Sequence, residues 1–498
     1  MNSLKTINNR RLVPRWQNLN DAYDSKEILP NEKSSSKEEI KATIFDEIDQ
    51  AKKEWLKEKS FLSALEYLEK QKIGAVECDK EACEFLKKVV SSNNQLPDAI
   101  RGFFNEEIGF ATEYPTPQIA ISNIRKQTIL HPNDAYLWLE LARNHLIVGS
   151  IEKSEKALLI ARSLAPNDRY VLRSMMRFYH HTHDIDKGLY YVRRTNNLTI
   201  DPMILSGEIA LCNTVGKPAK NIKQAKYMLQ SNNFSPFSLS ELASEIATME
   251  IMGGREKIGK RLLAQSLNAP TENALAQTAW INQCVMKLPW IEQINSLCIH
   301  NNFEGEIYLG LASQDKPIDW RHLFEQCKLW NAYQPFSRNP IYLAGSIATD
   351  FLEKYQEAYD FSLSALSNHK DEAGLLNNIA YAAILKGDEE NAQIYLKLQL
   401  SKCKTDEEKV VYLATKGLYE FRFGEISLGK ELYVSSFELA NKINSKLYAR
   451  VLVYYYRELD RIGDDSEKEF IRQKIMKYKD FASDFILIQL MKKFNIIQ

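Results

Sequence analysis

From residue 36 to the C-terminus one arrangement recurs. Runs of roughly 12–20 residues carry apolar side chains at i, i+3, i+4 and i+7, the period of an amphipathic helix, and short polar turns separate them. Alternating apolar and polar runs are rare and there is no Asn-Gly hairpin, so strands are not expected. The pattern predicts an all-α chain of roughly two dozen helices. Residues 1–35 break it: they are polar, contain Pro14 and Pro30, and end in a charged serine-rich stretch. They are expected to form an extended arm, with Ser36 and Glu39 spaced as a capping box for the first helix.

One stretch shows why the helices repeat. Pro132-Asn133-Asp134 returns 34 residues later as Pro166-Asn167-Asp168. Between them lie a first helix carrying Trp138, Leu141, Ala142 and His145, a turn at Gly149, and a second helix carrying Ser154, Leu158 and Ala161. The same spacing returns between Ala358 and Ala392, and Leu376–Leu396 and Leu413–Tyr433 repeat the arrangement of large, small and glycine positions. This resembles the tetratricopeptide repeat, a 34-residue helix–turn–helix unit. Here Ala142, His145, Ser154 and Leu158 replace that family's Gly, Tyr, Ala and aromatic residue. The match is strong over 130–166 and 340–440, degenerate over 40–130, 167–280 and 440–490, and poor over 281–335.

The resemblance implies an α-solenoid of stacked helix pairs forming a right-handed superhelix, with each unit's first helix lining a groove. The expected organisation is an arm (1–35), N-terminal repeats (36–280), an irregular helical connection (281–335) and C-terminal repeats (336–498). Leu141, Ala142, Leu158, Ala161, Ile379, Ala380, Ala392 and Leu396 should be buried.

Composition narrows function by exclusion. Lys+Arg and Asp+Glu both number 65, so bulk charge gives no case for nucleic acid or a membrane surface. No run approaches 18 apolar residues and the N-terminus lacks the apolar core of a signal peptide, so a cytoplasmic protein is expected. The seven cysteines show no metal or redox spacing and read as free thiols.

Candidate chemistry is weak. Gly254, Gly259 and Lys260 have phosphate-loop spacing, but Arg261 stands where Ser or Thr is needed and a helix pattern precedes them. His180, His181, His183 and Asp184 crowd one turn with no second cluster to complete a metal site. No nucleophile elbow or zinc-protease motif occurs. Hence no cofactor, no metal and no catalytic residue are expected.

The repeat frame instead points to binding. It places Tyr136, Arg143, Tyr170, Arg173 and Arg177 on one groove, where arginine forks beside aromatic rings suit an acidic partner segment. It places Asn377, Tyr381, Leu418, Phe421 and Arg422 on a more apolar C-terminal groove suited to a helix or extended peptide. Arg15 and Trp16 in the arm read either as a docking peptide or as a cap folded back on the solenoid. The resemblance implies a non-catalytic scaffold or regulatory subunit that binds a peptide segment or effector subunit. Such a role occurs in bacterial multi-protein systems, anti-phage defence included. A homo-oligomer, a nucleic-acid-binding repeat and a peptide-sensing regulator stay open as alternatives.

Overall fold

The structure, a computed structural model, describes residues 16, 37–73, 79–92, 117–231, 233–290, 302–312, 317–369, 372–478 and 485–497. Helix makes up 78% of them and there is no strand among them. This is an all-α helical-repeat fold, as the apolar period requires. No described helix is long and apolar enough to cross a membrane.

The helices in chain order are α1 (Lys37–Glu58), α2 (Phe61–Ile73), α3 (Lys80–Ser92), α4 (Pro117–Leu130), α5 (Ala135–Ile147) and α6 (Ile151–Leu164). Then follow α7 (Arg169–His181), α8 (Ile185–Val192), α9 (Pro202–Thr214), α10 (Ile222–Gln230), α11 (Pro236–Met252) and α12 (Glu256–Ser266). The next six are α13 (Glu272–Cys284), α14 (Phe303–Ala312), α15 (Trp320–Tyr333), α16 (Asn339–Ser346), α17 (Tyr355–Ser364) and α18 (Ala373–Lys386). The last are α19 (Glu389–Lys402), α20 (Asp406–Phe423), α21 (Ile426–Lys442), α22 (Leu447–Ile462), α23 (Asp465–Met476) and α24 (Phe485–Lys493). A π-helical turn, Ile347–Phe351, continues α16.

The chain divides into two compact units, one of Leu29–Ala120 with Ser231–Ser235, the other of Met1–Ile28, Ile121–Gln230 and Pro236–Gln498. In the smaller unit α1, α2 and α3 pack in sequence around Trp55, Tyr67, Leu68 and Leu86. The irregular connection expected over 281–335 contains α14 and α15 among its described residues.

In the larger unit each first helix packs on its own second helix, as in α5–α6, α11–α12, α18–α19 and α20–α21. It also packs on the first helix of the next pair, along α5–α7–α9–α11–α13 and again along α16–α18–α20–α22. Burial follows from this position. First helices are covered on several sides: every residue of Pro202–Cys212 in α9 is buried. Second helices bury one stripe only, such as Ser154, Ala157, Leu158 and Ala161 in α6, which is the amphipathic pattern read from the sequence. The eight residues expected in the core are all buried.

The recurring turn has a local cause. Asp134 and Asp168 are N-caps: the Asp134 carboxylate accepts from the Tyr136 and Leu137 amides, and Asp168 accepts from the Val171 amide at 2.9 Å. Gly149, at φ 73°, takes the left-handed turn between α5 and α6. The small positions are the crossings. Ser154 Oγ donates to the Ala142 carbonyl at 2.6 Å, and Ser436 Oγ repeats the bond to Val410 at 2.8 Å. The phosphate-loop spacing resolves the same way: Gly254, at φ 79°, is a turn, and a Cβ on Gly259 would stand 2.3 Å from Ile251.

Candidate functional site

The N-terminal candidates are folded inward. Arg143, Arg173 and Arg177 are all buried, as is Tyr170, while Tyr136 is half-buried. Arg173 makes a two-pronged pair with Glu241 of α11, 3.0 Å on each arm, and donates to the Met203 carbonyl at 3.2 Å. Arg143 donates from Nε to the Trp16 carbonyl and from Nη2 to the Tyr333 carbonyl, both at 3.1 Å. Tyr136 donates to Asp168 at 2.9 Å, and its ring meets Tyr170 edge-on at 6.0 Å.

The exposure expected for these arginines is therefore corrected. A guanidinium taken out of water must be paired, or it costs several kcal/mol. For Arg143 and Arg173 the chain's own groups do this pairing: the Met203, Trp16 and Tyr333 carbonyls and the Glu241 carboxylate, which lie 30, 127, 190 and 68 residues away in sequence, beyond the reach of a local pattern.

Trp16 is also inside. It is fully buried, and its indole ring lies edge-on to Phe178 at 6.4 Å and to Phe336 at 6.3 Å. Its carbonyl is the acceptor for Arg143. In this structure the arm's aromatic anchor packs within the larger unit, not at an exposed surface. Arg15 lies outside the described residues.

The C-terminal candidates separate into two groups. Asn377 and Tyr381 line a small, partly open hollow on the inner helices. Phe421 is buried with its ring edge-on to Tyr433 and Tyr455, and Leu418 is buried too. Arg422 is half-buried and held in two bonds by Glu458, at 3.0 and 3.1 Å.

The hollow is built by six elements. Gly345 and Ser346 come from the end of α16, Thr349 and Asp350 from the π-helical turn, and Asn378 from α18 beside Asn377 and Tyr381. Ala414 and Thr415 of α20 form its floor, with Tyr433 of α21 and Tyr454 of α22. The π-turn inserts an extra residue in the helix, closing a Leu352 amide to Ile347 carbonyl bond at 3.0 Å. The Thr349 hydroxyl donates back to the Gly345 carbonyl at 2.8 Å, and Lys493 Nζ takes the Asp350 carbonyl at 2.7 Å, so the altered ladder is satisfied.

The π-turn carries the buried Asp350. Tyr381 donates to one of its carboxylate oxygens at 3.0 Å and Tyr454 to the other at 2.7 Å. Burial pushes both phenols well above their ordinary range, so both remain O–H donors at neutral pH. Arg457 Nη1 donates to the Tyr381 hydroxyl at 2.7 Å while its Nε is paired with Glu458. Burial raises the Glu458 carboxyl, but Arg457 and Arg422 outweigh it and hold it below the usual range. Deeper in, the Asn377 side-chain oxygen accepts from Thr415 at 2.6 Å and from Gln399 at 3.3 Å, which fixes its amide. The neighbouring Asn378 is buried, and its Nδ2 meets no acceptor among the described residues.

Asp350, Asn378, Tyr454 and Arg457 are absent from the sequence-based candidates. Their helices read as core, and only polar residues at buried positions, such as Asp350 in Ser346–Phe351, could have marked them. Among the described residues no group of three His, Cys, Asp or Glu side chains is placed to hold a metal.

No protein-family model matches the sequence, and no curated protein does. Among solved structures the fold is similar to the crystal structure of yeast Tom70, with a TM-score of 0.36 and 12% identity over 93% of this chain and 96% of that one. It is also similar to a chain in the structure of Naa15/Naa10 bound to HypK-THB, with a TM-score of 0.21 and 12% identity over 91% of this chain and 78% of that one.

Proposed function

We propose that the chain is a non-catalytic scaffold or regulatory subunit that holds a segment of a partner protein in the groove of α16, α18, α20 and α22. The observation that carries this reading is the hollow on those first helices. It is walled by Tyr381, Tyr433 and Tyr454, and it holds a buried Asn378 donor with no acceptor supplied by the described chain. Buried polar groups are normally satisfied, and one left open at a hollow is available to an acceptor from outside the chain. The aromatic walls suit a peptide, because Tyr rings supply contact area at low entropic cost.

The test is purification of the tagged protein from its native host, followed by quantitative binding of the recovered partner. Tyr381→Ala, which opens the wall of the hollow, should weaken that binding at least about tenfold, or about 1.4 kcal/mol. Equal binding by wild type and variant, with both folded, would overturn the groove as the site.

A further inference from the structure

We infer that the hollow captures the free amino terminus of the partner segment, with the ammonium seated at Asp350 and the first carbonyl at Asn378. The inference rests on the peptide-binding reading above and specifies which part of the peptide enters.

Three observations carry it. The first is charge. The Asp350 side chain is buried, yet its carboxylate has no ion-pair partner among the described residues and accepts only from the hydroxyls of Tyr381 and Tyr454. A carboxylate has about four lone-pair positions, so two hydroxyls leave capacity for further donors. Nearby cations do not fill it. Arg457 reaches Asp350 only through the Tyr381 hydroxyl and pairs with Glu458, and Lys493 binds the Asp350 backbone carbonyl and Glu353. A buried carboxylate is costly unless a cation or several donors meet it, so a ligand ammonium with three N–H groups is its complement.

The second is the unfilled donor. Asn378 Nδ2 opens on the same hollow, and its residue is only 8% exposed. It stands against Gly345, where an added Cβ would lie 2.8 Å from that nitrogen. The missing side chain at Gly345 lets the Asn378 amide pack against the α16 backbone. An amino-terminal residue carries an ammonium and a carbonyl on one Cα, and the carbonyl is the acceptor that the open amide lacks.

The third is the wall. The rings of Tyr381 and Tyr454 lie edge-on at 5.9 Å, and both hydroxyls point to Asp350. These two O–H bonds hold the carboxylate in a fixed position at the wall of the hollow. Gly345 and Ala414 are the smallest residues of the lining, so the first side chain that suits it is a short one.

The experiment measures binding of trialanine amide to the full-length protein by calorimetry, beside two controls: the N-acetylated peptide and Nα-acetyl-lysine methylamide. Saturable binding of trialanine amide, weakened at least about tenfold by acetylation, is the expected result. Asp350→Asn, which keeps the shape of the side chain, should weaken it about tenfold or more. Asn378→Ala should weaken it by a smaller factor, and serves as the second variant should Asp350→Asn disturb folding. Equal binding of the acetylated peptide overturns the inference, as does the absence of saturable binding by trialanine amide. Binding of the lysine derivative in place of trialanine amide overturns the amino-terminal assignment. If the tripeptide fails while Tyr381→Ala still impairs binding of the recovered partner, this inference falls and the groove reading stands. If Tyr381→Ala leaves partner binding unchanged, the groove reading itself falls.

Discussion

Replacing Trp16 by Ala should destabilise the larger unit far more than a change in a polar arm would. The indole is fully buried between Phe178 and Phe336, and the Trp16 carbonyl receives Arg143. Truncating a buried Trp costs about 3–5 kcal/mol. Displacement of Trp16 would also leave the Arg143 Nε without its acceptor, a loss of about 1–3 kcal/mol or more. Trp16→Phe tests the cause. It keeps an aromatic wedge and removes an indole Nε1 that meets no acceptor among the described residues, so it should stay within about 1.5 kcal/mol of wild type. Urea unfolding of the three proteins, followed by far-ultraviolet circular dichroism, reads the difference. Deletion of residues 1–20 should match or exceed the loss in Trp16→Ala. If Trp16→Ala and the deletion both unfold within about 0.5 kcal/mol of wild type, the range of an ordinary surface substitution, the buried placement of Trp16 is wrong.

Three further outcomes follow from the packing. Ala380→Leu, at a fully buried crossing position, should overpack α18 and cost about 1–3 kcal/mol in the same unfolding assay. Arg173→Met should cost about 3–5 kcal/mol because it leaves Glu241 buried without its partner, and the double change Arg173→Met with Glu241→Met should recover most of that loss. Acid should weaken the fold through His369, which burial pushes down to about 4. The unfolded imidazole takes a proton near pH 6.5 and the folded one does not, so His369 contributes stability above that pH that is lost as pH falls towards 4, up to about 3 kcal/mol. Urea midpoints measured across that window check it, and His369→Asn should flatten the slope.

What the sequence reveals and what it hides divide along physical lines. The Pro-Asn-Asp turns were legible because an Asp cap acts on amides two and three residues away, within reach of a local pattern. Ala142, Ala380 and Gly259 were legible as crossings because their smallness repeats with the helix pairs. The arginines were misplaced for the opposite reason. A charged residue on a first helix reads as solvated, and nothing local to Arg173 reveals that Glu241, 68 residues later, covers it. The hollow was half visible: Asn377 and Tyr381 fall in the repeat frame, but Asp350 depends on a π-helical turn that inserts one residue and moves every side chain after it out of the 3.6-residue register. Trp16 was visible as an anchor, while its seat between Phe178 and Phe336 is set by tertiary packing alone.

Hydrogen exchange of the protein with and without its recovered partner tests the central claim most directly, because it maps the contact without a mutation. The account predicts that partner binding slows exchange in residues 341–351, 377–381, 414–415 and 450–457, the backbone around Asp350, Asn378, Thr415 and Tyr454. Slowed exchange confined to other helices, with these four stretches unchanged, would contradict it.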